Sequence, residues 1–188
     1  MILRLFPSLL AFMLACIVQP LVASDPVAHM LVQFPLLAAA GYLLPRRFRL
    51  PENAIGPALV LALVAAAIWM LPRSVDAALE SWGWHLAKFT SLPLAFGFVL
   101  SLAWPGIGPV LGGFLKAQAI SMLLFLAFLY THAPVRICNS YLVEDQYRLG
   151  HGFAFVAVGL ALWWVMPVFT GHTIRFTKVK AHEHSDYG

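Results

Sequence analysis

The sequence predicts an all-α protein, a polytopic transmembrane helical bundle of about six spans. The chain has 188 residues, of which 61% are hydrophobic and only 11% are charged, whereas a soluble domain carries about 25% charged residues. Its apolar residues form long runs and do not alternate every second residue, which excludes the strands of a membrane β-barrel. Because lipid offers the backbone no hydrogen bonds, each apolar run must satisfy its own backbone as a helix.

Six apolar segments approach the roughly 20 residues that a helix needs to cross the hydrocarbon of a bilayer. In chain order they cover about residues 2–22, 27–44, 54–71, 84–104, 110–132 and 150–170. The connections are short, so we predict a single membrane domain over residues 1–188 with a short basic tail from about residue 171. The first segment also resembles a signal peptide, because Arg4 precedes an apolar stretch ending at Ser24. Cleavage in vivo would leave five spans in the same orientation.

Basic residues indicate the orientation of these spans. They concentrate at the start of the chain, after the second span and in the tail, as Arg4, Arg46, Arg47, Arg49, Arg175, Lys178 and Lys180. Six spans put these places on one side, and the positive-inside rule makes that side cytoplasmic. The same rule and anionic lipid explain the net charge of +4, so we expect no nucleic acid partner. We predict a multi-pass protein of a bacterial inner membrane, with both termini in the cytoplasm.

Four histidines lie on four different spans, near the ends that this orientation places outside the cytoplasm. They are His29, His85, His132 and His151. Neutral imidazole is the commonest metal-binding side chain, so a bundle can gather such rings into one site. For each histidine alone, a ring hydrated among lipid head groups is a comparable explanation.

The side chains around the first and last of these histidines favour copper. Met30 supplies a thioether, which selects Cu(I), and Gln33 follows His29 by one helical turn on the same face. Asp145 is placed to bind a metal or to orient an imidazole, and Asp25 is placed to reach the same pocket. Both carboxylates also suit the alternative of capping the helices that they precede.

The fourth span raises two further questions. Lys88 follows His85 by one turn, and its charge either snorkels outward or points into the bundle as a fixed positive charge. Pro35 and Pro93 lie one to two turns below the histidines of their spans. Proline can kink a helix, and two kinks would open a cavity, although proline is also simply tolerated in membrane helices.

The chain has two cysteines. Cys16 lies in an apolar segment, where we expect it to be a small buried hydrophobe. Cys138 lies in the last outer loop and is a weaker candidate ligand. A disulfide between them remains open, but two cysteines do not make a disulfide framework.

Three outer segments carry motifs in a defined order. Residues 29–35 read HMLVQFP; residues 77–79, 84–85 and 103–105 read AAL, WH and AWP; and residues 145–146, 149–152 and 163–164 read DQ, LGHG and WW. In this order, over residues 25–164, they resemble the CtaG family, membrane proteins linked to copper delivery during cytochrome c oxidase assembly. The sequence departs from the family's pattern at Gln33 and Phe89, which stand where histidine is expected, and at His151, where glycine is usual. The resemblance therefore implies a rearranged ligand set.

These observations lead to a predicted site and function. We predict that the protein binds copper near the periplasmic face and assists metal loading or assembly of a respiratory or related copper enzyme, without covalent catalysis. The predicted ligands are His29, His85 and His151, with Met30 and Asp145 as possible additions. The weaker candidates are Gln33, Asp25, His132 and Cys138.

Two alternatives stay open. The protein is a haem b-binding electron-transfer subunit if two histidines at matching depth on separate helices ligate iron. Otherwise it is a non-catalytic structural subunit of a larger membrane complex. In every case the expected partners are the lipid bilayer and other membrane subunits or a copper enzyme.

Overall fold

The computed structural model describes residues 2–22, 24–46, 48–132 and 142–169, and the regular elements in these ranges are all helical. In chain order they are α1 (Ile2–Val22), α2 (Ala28–Gln33, π-helical, then Phe34–Tyr42), α3 (Glu52–Met70), α4 (Pro72–Glu80), α5 (Trp82–Ser91, then Leu92–Phe98, π-helical, then Val99–Ala103), α6 (Pro109–His132) and α7 (Val143–Phe169). A 3-10 turn, Trp104–Gly106, ends α5. Arg47, Cys138 and the predicted tail lie outside the described residues.

The all-α transmembrane bundle is confirmed. Among the described residues, five helices are long and apolar enough to cross a membrane, namely α1, α3, α5, α6 and α7. The second predicted span is the shorter one. Its two parts, of 6 and 9 residues, give a helix of about 23 Å at about 1.5 Å per residue, less than the ~30 Å hydrocarbon thickness. This short helix packs between α1 and α5, where Phe34, Leu37 and Ala40 are buried.

Two π-helical stretches interrupt α2 and α5, and each lies next to a proline. Pro35 is the second residue after the end of the first stretch, and Pro93 lies inside the second stretch. Proline has no N–H to donate and its ring crowds the preceding turn, which disfavours regular α-helical bonding there. An apolar groove of about 260 Å³, lined in part by Phe89 and Pro93, opens between α1, α2 and α5.

The two interrupted helices approach each other at glycines. A Cβ atom on Gly41 would overlap the backbone carbonyl of Pro93, and one on Gly97 would overlap the carbonyl oxygen of Ala38. Small residues permit such backbone contact between membrane helices, where van der Waals packing replaces the hydrophobic effect as the driving force. The pair Gly41 and Gly97 therefore fixes how closely α2 and α5 pack.

Two features differ from the expectations. Helix α4, which the hydropathy pattern does not predict, is a short amphipathic helix between α3 and α5 that buries Ser74, Val75 and Ala78. Cys16 is exposed, and the expectation that it is buried is wrong. The buried face of α1 carries Ala11 and Ala15. Cys16, the residue after Ala15, therefore points away from the bundle, toward lipid.

Candidate functional site

A fully buried lysine lies at the centre of the polar site. Lys88 on α5, and His29 and Gln33 on α2, each have an exposed fraction of 0%. The Nζ atom of Lys88 lies 3.1 Å from Nε2 of His29 and 2.8 Å from Oε1 of Gln33. A buried charge is costly unless it is hydrogen-bonded, so these two contacts are what make the position tolerable. Of the two orientations considered for Lys88, the structure shows the inward one.

The amide of Gln33 extends this cluster to α1. Its Nε2 atom donates to the carbonyl oxygen of Ala15 at 3.1 Å and to Oε1 of Gln19 at 2.7 Å. These two bonds fix the orientation of the amide group. Its Oε1 atom, which can only accept, therefore faces Lys88. One hydrogen-bonded network therefore joins α1, α2 and α5.

The ring of His29 is engaged by the same lysine. A charged ammonium has three N–H donors and no acceptor, so Nε2 of His29 accepts and the ring proton is on Nδ1. Phe34 packs against the imidazole edge-to-face, with ring centroids 5.1 Å apart. The Lys88 ammonium lies 6.0 Å from the centroid of Phe34 and 5.5 Å from that of Phe89, within cation–π range. The lone pair that a copper ion would need is used in a hydrogen bond.

Met30 is buried too, but it contacts a different helix. Its exposed fraction is 3%, and its Sδ atom lies 4.0 Å from the hydroxyl of Tyr130 on α6. Met30 therefore does not face lipid. The thioether joins the apolar core that includes Phe153 and Leu149 of α7. Adjacent residues of α2 thus serve two different contacts, His29 toward α5 and Met30 toward α6.

His85 is half-buried within a stack of aromatic rings. Its centroid lies 5.5 Å from that of Trp82, with the ring planes 17° apart, and 4.8 Å from that of Phe89. This packing matches an aromatic belt at the membrane interface. His85 precedes Lys88 by one helical turn and adjoins the buried cluster through Phe89.

The starts of α2 and α7 meet at one end of the bundle. The guanidinium of Arg148 lies 3.5 Å from a carboxylate oxygen of Asp25 and 3.5 Å from one of Asp145. The Arg148 side chain is 63% exposed, so these ion pairs contribute little stability. Asp25 also accepts the backbone N–H of Val27 at 2.9 Å, as expected of a helix cap.

The two remaining histidines are exposed. His151 forms a 2.8 Å hydrogen bond through Nδ1 to the carbonyl oxygen of Tyr147, one turn earlier on α7. The His132 ring stacks on Phe128, with centroids 4.5 Å apart, at the end of α6. Each imidazole therefore packs on its own helix.

The residues predicted as copper ligands do not form one centre in the described part of the chain. Within residues 2–22, 24–46, 48–132 and 142–169, no three His, Cys, Asp or Glu side chains lie close enough to hold a metal ion. Because Lys88 occupies the coordinating atom of His29, the donor set does not fit copper at that ring. The structure instead brings His29 together with Gln33. The structure does not bring His85, His151 and Asp145 together, so copper binding by these three stays a prediction. Cys138 is outside the described residues.

Sequence reasoning did not identify Gln19 and Ala15 as members of the site. Both lie in an apolar segment with no metal-binding pattern, and only the polar amide of Gln19 marks it as unusual there. Comparison with protein families, with curated proteins and with solved structures finds no match to this chain.

Proposed function

We propose that this chain is a non-catalytic integral membrane protein that assists the assembly of a larger respiratory membrane complex, such as a copper-containing enzyme. The proposal combines the CtaG-like order of motifs with the geometry of the buried cluster. The 3.1 Å contact between Lys88 and His29 is the single observation that favours a non-metal role for this histidine. The histidine of the first motif serves packing between helices, so this chain assists a complex through its fold and not by coordinating a metal at His29.

The bundle is suited to a lipid environment and to contact with other membrane subunits. Large apolar side chains on the outer faces of α6 and α7 are exposed, among them Phe114, Phe125, Phe155 and Trp163. The proposed location is a bacterial inner membrane, with both termini in the cytoplasm as the positive-inside rule predicts; this orientation requires the short helix α2 to cross the bilayer together with the five longer helices. Arg148, Asp25 and Asp145 then form a charged rim on the periplasmic side.

Copper binding at that rim is the second candidate. The contacts of Arg148 support it, because they bring Asp25 and Asp145 to one end of the bundle. In this version His85, His151 and Asp145 hold the ion only after moving together, because no three such side chains of the described residues are close enough in the structure, and His29 is not a ligand. A haem b ligated through His29 is disfavoured for the same reason as copper at that ring, since iron needs the nitrogen that accepts from Lys88.

Copper content and co-purification test the proposal together. The full-length protein is extracted in mild detergent from its native host, and its copper, its visible spectrum and its stoichiometric partners are measured. The matched variants are His29→Ala and the double variant His85→Ala/His151→Ala. We expect stable co-purification with a membrane complex. After the chain has been separated from that complex, we expect no Soret band and equally low copper in all three samples.

Two results would overturn this proposal. Stoichiometric copper that is lost in the double variant but kept in His29→Ala would establish the rim site. Copper lost specifically in His29→Ala would mean that the ion displaces Lys88 in the mature protein.

A further inference from the structure

We propose that the ammonium of Lys88 is the resident cation of a built cation-binding site, and that removing it leaves a pocket specific for a small primary alkylammonium ion. The site is formed by Nε2 of His29, Oε1 of Gln33 and the faces of Phe34 and Phe89. The inference does not depend on which complex the protein assists. It concerns only the chemistry that the described residues place around one nitrogen atom.

The groups that face the Lys88 nitrogen are hydrogen-bond acceptors and aromatic ring faces. Gln33 presents an oxygen because its amide nitrogen is already bound to Ala15 and Gln19. His29 presents a ring nitrogen, and two aromatic faces present the negative side of their quadrupoles. The acceptors would take any N–H or O–H donor, and the two ring faces beside them favour a cationic donor over a neutral one.

The charge of Lys88 is not neutralised by a carboxylate of the described residues. In the part of the chain that the structure describes, the ion pairs between side chains are those of Arg148, and no carboxylate lies within salt-bridge distance of Lys88. Neutral acceptors and aromatic rings therefore hold the charge, as they hold a free ammonium ligand. Every buried side-chain nitrogen and oxygen of the described residues also has a hydrogen-bond partner, so the site is complete with Lys88 in it.

The cation site is enclosed by protein on all sides. Lys88, His29 and Gln33 are all at 0% exposure. They lie on α5 and α2, and Gln33 is bonded to a third helix, α1. Truncation at Cβ would leave a closed space lined by groups that no longer have a cation. The atoms removed by Lys88→Ala, from Cγ to Nζ, are those of n-propylammonium, so this ion restores the side chain except for one covalent bond.

The test is chemical rescue of the full-length protein in detergent. Thermal unfolding is followed for the wild type, Lys88→Ala and Lys88→Met with n-propylammonium chloride. At about ten times the dissociation constant, ligand binding stabilises a protein of this size by about 3–6 °C in melting temperature. We expect this rise for Lys88→Ala alone. Lys88→Met fills the same space with an uncharged chain and should show none.

Control solutes distinguish the effect of a primary ammonium group from the effects of chain shape, of positive charge without N–H donors, and of ionic strength. Sodium chloride controls for salt, n-propanol has the same chain with a neutral donor, and tetramethylammonium is a cation without any N–H. The proposal requires that only n-propylammonium stabilises Lys88→Ala. Equal stabilisation by n-propanol, or equal shifts in the wild type, would overturn it.

A mutant cycle covers the case in which Lys88→Ala does not fold. Lys88→Met leaves the oxygen of Gln33 buried without its donor, and Gln33→Met in the same chain removes that oxygen. The melting temperature of the double variant should therefore fall by clearly less than the sum of the two single losses. Additive losses would show that Lys88 and Gln33 are not coupled, and the cation site would be refuted.

Discussion

Substitution of Gly97 by alanine tests the close packing of α2 against α5. The new Cβ atom would overlap the carbonyl oxygen of Ala38 and would also lie near the backbone nitrogen of Tyr42. Both neighbours are backbone atoms, so no side chain can rotate away and the two helices must separate. Overpacking of this kind costs about 1–3 kcal/mol, which for a chain of this length lowers the melting temperature by roughly 2–12 °C at about 2–4 °C per kcal/mol.

The matched control is Gly159→Ala on α7, where a Cβ would meet nothing within 4 Å. Alanine is the better helix former by about 1 kcal/mol, so this variant should be as stable as the wild type or slightly more stable. Both variants are purified in the same detergent and unfolded by heat, with loss of the monodisperse peak on size exclusion as the readout. If Gly97→Ala unfolds at the same temperature as Gly159→Ala, the backbone contact between α2 and α5 is not formed as described.

Two smaller substitutions test single contacts. Ser91→Ala removes the oxygen that accepts the indole N–H of buried Trp69 at 2.7 Å, and should cost about 1–3 kcal/mol of stability because that donor is left unsatisfied. The control is Thr90→Ala, because the exposed Thr90 hydroxyl bonds to carbonyls of its own helix. Equal losses of stability in the two variants would argue against the Trp69 bond. Arg148→Ala should lower the stability by less than about 1 kcal/mol, because the ion pairs of Arg148 are exposed. This loss should shrink in high salt. A large, salt-independent loss of stability would mean that Arg148 has a structural role the observed contacts do not explain.

Span positions follow from the sequence because hydropathy reports directly on contact with lipid. The predicted segments 2–22 and 110–132 match α1 and α6 within a residue. The hydropathy pattern predicts that the last span begins at residue 150, yet the helix begins at Val143. Glu144 and Asp145 lie in its first turn, where carboxylates favour the positive end of the helix dipole. Hydropathy marks where a helix enters the membrane, not where its hydrogen bonds begin.

The partners within the polar site could not be predicted in the same way. Lys88 and His29 are 59 positions apart, and no pattern in one sequence says which helix faces which. A histidine followed by methionine and glutamine suits a metal site and a lysine acceptor equally well, because each uses the same lone pairs. Only the position of the ammonium decides between them. The four histidines predicted to share a side of the membrane do not share a pocket in the described part of the chain.

The polar cluster and the glycine contact together specify one register for α2 against α5. Apolar side chains in lipid gain little by choosing one apolar neighbour over another, so selectivity must come from close packing and polar contacts. Lys88 meets α2 at His29 and Gln33, while Gly97, further along the same helix, meets α2 near Ala38. Sliding α5 by one residue would remove the ammonium from both acceptors and bring a side chain to the glycine contact. A buried lysine that would be a liability in an isolated helix is, in this pair, the feature that excludes the wrong alignment.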